Sequence, residues 1–307
     1  MKLLITGGTG FIGGPLCQAL AQRGHEVTVL TRHATPPPVA PKIRFLFWES
    51  ADWQRLIPET DGIINLAGES IAAKRWSPRQ KSLIQESRLQ ATRRVVHAIA
   101  AASRRPSVLI NASAVGFYGA HGDEELSEAN PRGQGFLAEL CTMWESEARS
   151  AEALGLRVVR LRIGLVLGPG GGALQKMVPP FRGFVGGPLG SGRQWVSWIH
   201  RDDVIGLIEW ALTAGVSGAV NATAPQPVTM RALCRELGAV LRRPSWAPVP
   251  GVVLRLLLGE MADLLLTGQR VLPTIALRSG YQFVHPSLRD ALTACLSSPP
   301  AANANQA

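Results

Sequence analysis

Short apolar runs alternate with longer segments of helical periodicity along the first half of the chain. Glycine, proline or charged residues end the apolar runs, as expected for strands that are buried on both faces of a sheet. The longer segments carry apolar residues three or four positions apart, which is typical of helices packed on such a sheet. Strands that alternate with helices predict an α/β protein with a doubly wound parallel sheet.

Six strands and three helices are predicted in this half. The strands are Met1–Thr6, Glu26–Arg32, Lys42–Trp48, Gly62–Gly68, Ser107–Ala114 and Arg157–Gly168. The helices run from near Phe11 to Gly24, over Ser77–Ser103 and over Ala138–Leu154. A proline-rich turn at Pro36–Pro38 joins the second strand to the third.

The composition of the chain changes after Gly170, where two glycine-rich stretches, "GPGGGALQK" and "GGPLGSGRQ", are followed by helical periodicity over residues 231–292. We therefore expect a first domain over residues 1–170 and a smaller, mainly helical region over 171–307. That region includes a helical domain at about 246–295. Its polar tail, "SSPPAANANQA", is predicted to be disordered.

Charge and cysteine content limit the possible partners. The net charge is +10, but the basic residues are scattered and form no stripe interleaved with aromatic residues, so no nucleic-acid partner is expected. No apolar run is long enough to cross a membrane, glycines interrupt any signal-peptide core, and no membrane partner is expected. The four cysteines form no C-x-x-C pair, which argues against a zinc site and favours a reducing, cytoplasmic setting.

The loop after the first strand, "TGGTGFIGG", has the spacing Gly7-x-x-Gly10-x-x-Gly13. Glycine lets a pyrophosphate approach the backbone, and the helix that follows directs its N–H groups and positive dipole end at it. Thr9, Phe11 and Ile12 complete the predicted binding loop. A tight strand-to-helix turn without a ligand is the alternative.

The second strand ends in Thr31-Arg32, where a site that prefers NAD carries Asp or Glu. A carboxylate would repel a 2′-phosphate, whereas a guanidinium can bind it through two hydrogen bonds. Thr31 and Arg32 therefore predict selection of NADP(H). The alternative is that Arg32 is a solvated residue at the end of a strand.

Five motifs occur in order and carry a family resemblance: "TGGTGFIG", "NLAG", "ASAVGFYG", "RIGLVLG" and "WIHRDDV". Together they resemble the extended short-chain dehydrogenase/reductase superfamily. The segments "NLAGESIAAKRW" and "LLLGEMADLLLTGQRVLP" are similar to its atypical "epimerase family" branch, which has a C-terminal domain of unknown function. The resemblance covers nearly the whole chain. It implies a Rossmann-type sheet with bound NADP(H) over residues 1–170, a small-molecule substrate on the side of residues 171–307, and a possible homodimer.

The resemblance also implies further cofactor ligands. The backbone of Leu66, Ala67, Gly68 and Glu69 would pass the adenosine ribose and phosphates, and the peptide near Val166 would pass the nicotinamide. Arg88 stands where extended relatives carry Asn, and a guanidinium there could donate hydrogen bonds to ribose or phosphate oxygens. A surface helix Arg is the alternative.

The catalytic pattern departs from the superfamily, whose chemistry depends on Tyr-x-x-x-Lys. In the corresponding helix these places fall on Glu139 and Met143, or on Leu137 and Cys141. Of the hydroxyl groups nearby, Ser113 and Tyr118 are the candidate catalytic residues. The catalytic Ser of relatives aligns with Ala114, so strand alternation would turn Ser113 to the other face.

Other polar and aromatic residues are expected near the cleft, and each has a simpler interpretation as an exposed or packed side chain. They include Glu69, Lys74, Arg75, Trp76, Lys81, Glu139 and Trp144. His200 is interpreted as a structural residue at a turn, and Asp202-Asp203 as an N-cap. No metal site is predicted.

Three functions remain open, and whether the protein turns over a substrate at all is one of the open points. The first is an NADP(H)-dependent oxidoreductase that acts without the usual Tyr-Lys pair. The second is an NADP(H)-sensing regulatory protein without turnover. The third is a nucleotide-sugar epimerase, against which Val196 stands where sugar epimerases carry an Arg.

Overall fold

The computed structural model describes residues 1–32 and 42–297. The predicted proline-rich turn lies outside these residues, as does the predicted polar tail except for its first residue, Ser297. Two compact units interleave along the sequence. The first comprises Met1–Phe117, Gly135–Arg162 and Ile205–Val220, and the second comprises Tyr118–Gln134, Ile163–Val204 and the chain from Asn221 onward. The predicted boundary near residue 170 remains a prediction.

The described residues form strands and α-helices with the following bounds. In chain order they are β1 (Lys2–Thr6), α1 (Gly13–Gln22), β2 (Glu26–Thr31), β3 (Ile43–Phe47), β4 (Gly62–Asn65), α2 (Pro78–Ala101), β5 (Val108–Ala114), β6 (Glu125–Leu126), α3 (Phe136–Arg149), β7 (Arg157–Ile163), β8 (Leu165–Leu167), α4 (Gly172–Arg182), β9 (Trp195–Val196), β10 (Trp198–His200), α5 (Arg201–Thr213), β11 (Gly218–Ala222), β12 (Val228–Thr229), α6 (Met230–Leu241), α7 (Gly251–Leu258), α8 (Asp263–Leu266), β13 (Arg270–Val271), α9 (Thr274–Arg278) and α10 (Leu288–Ser297). Short 3₁₀ helices lie at Asp52–Glu59, Val115–Tyr118, Ser150–Leu154 and Gly259–Ala262.

The main sheet has seven strands in the order β11-β7-β5-β4-β1-β2-β3. The pairs β1–β2, β1–β4, β2–β3 and β4–β5 are all parallel. The predicted fold class, a doubly wound α/β protein of Rossmann type, is confirmed. The strand order reverses at β1, and an open parallel sheet binds its ligand at such a switch point, beyond the carboxyl ends of the strands.

Apolar residues of the strands and of the covering helices form the core of the first unit. Leu4, Ile63 and Leu109 of the sheet are at most 1% exposed and cluster with Val95 and Ile99 of α2. The central strands β1, β4 and β5 are buried on both faces of the sheet. Their sequences are therefore mainly apolar rather than alternating between apolar and polar residues.

The prediction of one strand over Arg157–Gly168 was wrong. The main-sheet strand β7 ends at Ile163, and β8 begins a separate two-stranded parallel sheet with β10. Gly164 marks the break, because a Cβ there would lie 2.2 Å from the carbonyl oxygen of Ser197. Only glycine allows the two backbones to approach so closely.

The second unit has its own core, in which α4, α6 and α10 pack around Trp198. Trp198, Leu233, Leu237 and Leu292 are fully buried there. The predicted helical character of the C-terminal region is confirmed, since α6 to α10 fall within it. Within the part of the chain that the structure describes, no helix has both the length and the apolar character to span a bilayer.

Candidate functional site: the glycine loop and its surroundings

The glycine loop lies between β1 and α1, and its backbone is packed too tightly for side chains. Gly7 has φ +69°, and a Cβ on it would lie 2.6 Å from the carbonyl oxygen of Leu66. A Cβ on Gly13 would lie 2.1 Å from the carbonyl oxygen of Gly7. The loop therefore folds against itself and against the segment after β4, and glycine is required at both positions.

The N-terminus of α1 is open to an anion. Ile12 makes no side-chain cap, and the first turn carries no acidic residue, as far as the described residues show. Thr9 and Gly10 are exposed, and Phe11 is half-buried. The positive end of a helix dipole without a side-chain cap fits a phosphate group, so the residues present suit the pyrophosphate of a dinucleotide.

Thr31 and Arg32 lie where the sequence predicts the contact with the adenosine ribose. Thr31, the last residue of β2, is 4% exposed, and the side chain of Arg32 beyond it is exposed. Because β1 and β2 are parallel neighbours, Arg32 and the glycine loop leave the sheet at the same edge. A guanidinium at this point suits a 2′-phosphate.

Arg88 of α2 supports the loop after β4. Its Nη1 donates hydrogen bonds to the carbonyl oxygens of Glu69 and Ile84, each at 2.9 Å. Its guanidinium carbon lies 5.1 Å from the centre of the Trp144 ring, and burial lowers its pKa. Arg88 thus holds the backbone at Gly68-Glu69, and its predicted contact with a cofactor remains a prediction.

A buried polar network that the sequence analysis missed links β1, β4 and β5 near their carboxyl ends. Asn65 accepts a hydrogen bond from the hydroxyl of Thr6 and donates to Thr92 and Asn111. The indole N–H of Trp144 donates to Thr92 at 3.0 Å, and the Thr6 hydroxyl accepts from the N–H of Ala67 at 3.2 Å. The network positions the Leu66–Ala67 peptide. An Asn within each of two otherwise apolar strands was the available signal.

Ser113 belongs to a buried ionic cluster. Its hydroxyl donates to Oε1 of Glu145 at 2.8 Å, and Arg162 donates to both oxygens of the same carboxylate at 2.7 and 2.9 Å. The guanidinium carbon of Arg162 lies 3.4 Å from the centre of the Phe117 ring. Ser113 is 3% exposed and faces α3. Its hydroxyl makes a structural contact with Glu145, and its predicted catalytic role remains a prediction.

Helix α3 carries no Tyr-Lys pair in either of the two possible registers. Glu139 and Met143 are exposed, whereas Cys141 is buried and Leu137 packs on Gly116. The inward-facing pair is therefore Leu137 and Cys141. Burial raises the pKa of the Cys141 thiol to about 11, so it is neutral near pH 7.

Tyr118 lies in the second unit and is fully buried. Its hydroxyl donates to Oδ1 of Asn221 at 2.8 Å, and the amide of Asn221 donates to the carbonyl oxygen of Leu272 at 2.9 Å. A catalytic role for Tyr118 remains a prediction, and it would require this hydrogen bond to break.

Val166 lies in the middle of β8, opposite Ile199 of β10, and is half-buried. The backbone of β8 is held by hydrogen bonds at its start, where the N–H of Leu165 donates to the carbonyl oxygen of Ser197 at 2.8 Å. The predicted passage of the nicotinamide beside Val166 stays a prediction.

His200 and its neighbours form a compact polar cluster in the second unit. His200 is 2% exposed, its Nδ1 accepts the N–H of Asp202 at 3.1 Å, and its ring centre lies 3.9 Å from that of His285. The interpretation of Asp202-Asp203 as an N-cap was wrong, because α5 already begins at Arg201. The Asp203 carboxylate instead accepts the N–H groups of Val284 and His285.

His200, Asp202 and His285 place potential metal-ligand atoms within 4.8 Å of one another. The Nδ1 lone pair of His200 already accepts a backbone hydrogen bond, which fixes the proton on Nε2. A cation could bind this ring only after that hydrogen bond broke or the proton left. The clearest role of His200 is therefore to cap this turn by accepting the N–H of Asp202.

We expect this cluster to make stability depend on pH. Burial lowers the pKa of His200 to about 4, and the neighbouring His285 adds to the shift. Because the unfolded chain binds this proton more readily, stability should fall by about 2 kcal/mol as pH drops from 6.5 towards 4. Urea unfolding at several pH values measures it. His200→Asn should flatten the profile in this range, whereas His97→Asn, at an exposed position on α2, should leave it unchanged.

The sheet, the tight glycine loop and the uncapped helix define a dinucleotide-binding α/β protein. The model of the NAD-dependent epimerase/dehydratase family matches residues 3–223, and a domain of unknown function, DUF1731, matches residues 249–295. The chain belongs to the NAD-dependent epimerase/dehydratase family, as its motifs indicated.

Similar proteins come from plants, bacteria and mammals. The chloroplastic epimerase family protein SDR39U1 homolog of Arabidopsis thaliana is 44% identical, and the match covers 96% of this chain and 87% of that protein. The epimerase family protein YfhF of Bacillus subtilis is 40% identical, with 95% and 97% covered. The crystal structure of human SDR39U1 with NADPH superposes with a TM-score of 0.87 at 36% identity, and the match covers 97% of this chain and 100% of that one.

Proposed function

We propose that this protein binds NADP(H) and acts as an oxidoreductase on a small molecule without using the superfamily's Tyr-Lys pair. The observation that carries the proposal is the open N-terminus of α1 beside the glycine loop, with Arg32 at the end of the adjacent strand. The human relative that was solved with NADPH, at 36% identity over 97% of this chain, supports it.

The glycine loop and the N–H groups at the start of α1 bind the pyrophosphate in this proposal, and Arg32 binds the 2′-phosphate. The Leu66–Glu69 backbone, held by Arg88 and by the Asn65 network, orients the adenosine half. Bound NADPH supplies a hydride. Since the Tyr-Lys pair is absent from α3 and Ser113 and Tyr118 are hydrogen-bonded to Glu145 and Asn221, the proton would come from water.

The second candidate is a binding protein that senses NADP(H) without turnover. The inward-facing Leu137 and Cys141 of α3 favour it, because leucine has no ionisable proton and burial keeps the Cys141 thiol from releasing its proton near pH 7. To distinguish the oxidoreductase from the sensor, the protein is incubated with NADPH and each member of a broad panel of carbonyl compounds. The loss of NADPH absorbance measures oxidation. Steady oxidation with any of them excludes the sensor. Binding without any oxidation excludes the enzyme, and analysis of nucleotide sugars after incubation tests the epimerase alternative.

Replacing Arg32 tests the cofactor proposal. Arg32→Ala should weaken NADPH binding about 10-fold to 100-fold and leave NADH binding within about 2-fold, because only NADPH carries the 2′-phosphate that the guanidinium contacts. Fluorescence titration of both nucleotides measures the two dissociation constants. Arg149→Ala, at an exposed position in the last turn of α3, is the control for loss of one positive charge. Equal loss for both nucleotides would contradict the assignment.

We also propose a cytoplasmic setting. All four cysteines are free thiols, and all are buried. Disulfide-free, buried cysteines suit a reducing compartment.

A further inference from the structure

A strongly basic segment lies at the carboxyl edge of the main sheet. The loop after β4 and the first turn of α2 carry Lys74, Arg75, Arg79 and Lys81, and there is no acidic residue between Ser70 and Gln85. Three of the four are exposed, and Lys81 is half-buried. The positive end of the dipole of α2, a helix of 24 residues, adds to this field. The segment therefore attracts anions.

An aromatic pair lies beside these charges. The rings of Trp76 and Phe136 meet edge to face with their centres 5.2 Å apart. The indole N–H of Trp76 donates to the carbonyl oxygen of Ile71 at 2.8 Å, which closes the loop and fixes the ring. Two aromatic side chains that are held in this way present an apolar surface for a flat group.

Lys81 joins the charge to the aromatic surface. Its ammonium nitrogen lies 5.0 Å from the centre of the Phe136 ring and 6.0 Å from that of Trp76. Cation–π contacts at these distances hold an ammonium group in place without neutralising its charge. A positive charge is therefore fixed next to an apolar aromatic face.

The segments that carry this cluster follow strands of the main sheet in the sequence. Trp76 and Lys81 lie in the segment that leaves the sheet at the carboxyl end of β4, and Phe136 opens α3, which the chain reaches 22 residues after the end of β5, the parallel neighbour of β4. The glycine loop after β1 leaves the sheet at the same edge. Ligands of open α/β sheets bind along this edge.

Gln80 provides an independent observation. Its side chain is 6% exposed, yet its Nε2 has no hydrogen-bond partner among residues 1–32 and 42–297. A buried amide donor almost always has an acceptor. Gln80 precedes Lys81 on the first turn of α2, so a polar donor without a partner in the described residues lies on the same helical turn as the Lys81 ammonium group.

We propose that Lys81, Trp76 and Phe136 form a substrate subsite for an anionic group attached to a flat apolar body, of which an aromatic carboxylate is the simplest example. This proposal rests on the proposed function, because it names the substrate class of the same protein. The carboxylate accepts a charge-assisted hydrogen bond from Lys81, and the flat body packs on the two rings. A neutral sugar ring offers neither feature.

Three probes with one carbon skeleton test the two features separately: 2-naphthoate, the neutral 2-naphthamide, and the non-planar decahydro-2-naphthoate. Calorimetric titration into the full-length protein saturated with NADP⁺ measures each dissociation constant. The expected result is that 2-naphthoate binds at least about 10-fold more tightly than the amide and several-fold more tightly than the saturated acid.

Variants assign the effect to Lys81. Lys81→Gln should remove the preference for the carboxylate over the amide, and Lys81→Arg should keep most of it. Arg149→Gln removes one exposed positive charge elsewhere in the same unit and should change nothing. Circular dichroism shows whether each variant is folded. If Lys81→Gln does not fold, Lys81→Arg still tests the proposal, because it should keep most of the preference for the carboxylate over the amide.

Titration with NADPH is done first on every variant, so failure of the subsite and failure of the cofactor proposal give different results. If NADPH binds but 2-naphthoate does not bind below 10 mM, or binds Lys81→Gln equally well, the subsite is overturned and the cofactor proposal stands. If NADPH does not bind, the proposed function fails, and the same probe series on the free protein still decides whether the subsite exists.

Discussion

Gly13→Ala should abolish NADPH binding, with a dissociation constant raised at least about 100-fold. The added Cβ would lie 2.1 Å from the carbonyl oxygen of Gly7 and 2.7 Å from the Cα of Gly8. Both are backbone atoms, so no side-chain rotation can relieve the overlap, and the loop must move away from the start of α1. The N–H groups that meet the pyrophosphate would then no longer converge. Fluorescence titration with NADPH measures the loss.

Gly14→Ala is the matched control, one residue along the same helix. Its Cβ would meet nothing closer than the carbonyl oxygen of Gly8, at 3.9 Å. Alanine also favours a helix over glycine by about 1 kcal/mol, so this variant should be as stable as the parent or more so. Its affinity for NADPH should stay within about 2-fold. Normal binding by the Gly13 variant would show that the loop is not the pyrophosphate site.

Glu145→Ala is expected to lower the free energy of unfolding by about 3–5 kcal/mol. The side chains of Glu145 and Arg162 are 6% and 5% exposed, and removal of the carboxylate leaves the Arg162 guanidinium buried without its counter-charge. The hydroxyl of Ser113 loses its acceptor as well. Urea unfolding followed by circular dichroism gives the change.

Glu147 offers a control on the same helix. It pairs with Arg93 at 2.5 Å, where the two side chains are 26% and 53% exposed, so Glu147→Ala should cost no more than about 1 kcal/mol. The double variant Glu145→Leu, Arg162→Met should recover at least half of the loss, because it removes the unpaired charge as well. If Glu145→Ala costs as little as Glu147→Ala, water screens the pair and it is not buried in solution.

Periodicity and glycine spacing were sufficient to predict six of the seven strands of the main sheet and its binding edge, whereas the edge strand β11 was not predicted. β1 and β4 are short, largely apolar runs, and β2 and β5 are rich in aliphatic residues, which indicates burial on both faces of the sheet. The loop Gly7–Gly13 was predictable for the same local reason, since its spacing and its place between a strand and a helix need no knowledge of distant residues.

Features that depend on distant residues escaped the sequence analysis. Gly164 ends β7 because the backbone of Ser197 lies against it, and nothing near Gly164 in the sequence shows that approach. Asp203 resembles a helix cap, yet its carboxylate holds the N–H groups of Val284 and His285. The partner of Ser113, Glu145, is likewise visible only once β5 and α3 are packed together.

The pairing of β7 with the edge strand β11 affects how the chain folds while it is being synthesised. β11 pairs with β7 although residues 164–217 separate them. Arg157 of β7 donates hydrogen bonds of 2.7 Å to the carbonyl oxygens of Ala211, Leu212 and Val216, the last of them 59 positions further on. On the ribosome β7 therefore emerges with an unpaired outer edge and with Arg157 lacking its protein acceptors, and both wait for residues 211–222. Nascent chains that stall within this interval expose an unpaired strand edge, which is the kind of surface that chaperones bind and that seeds aggregation.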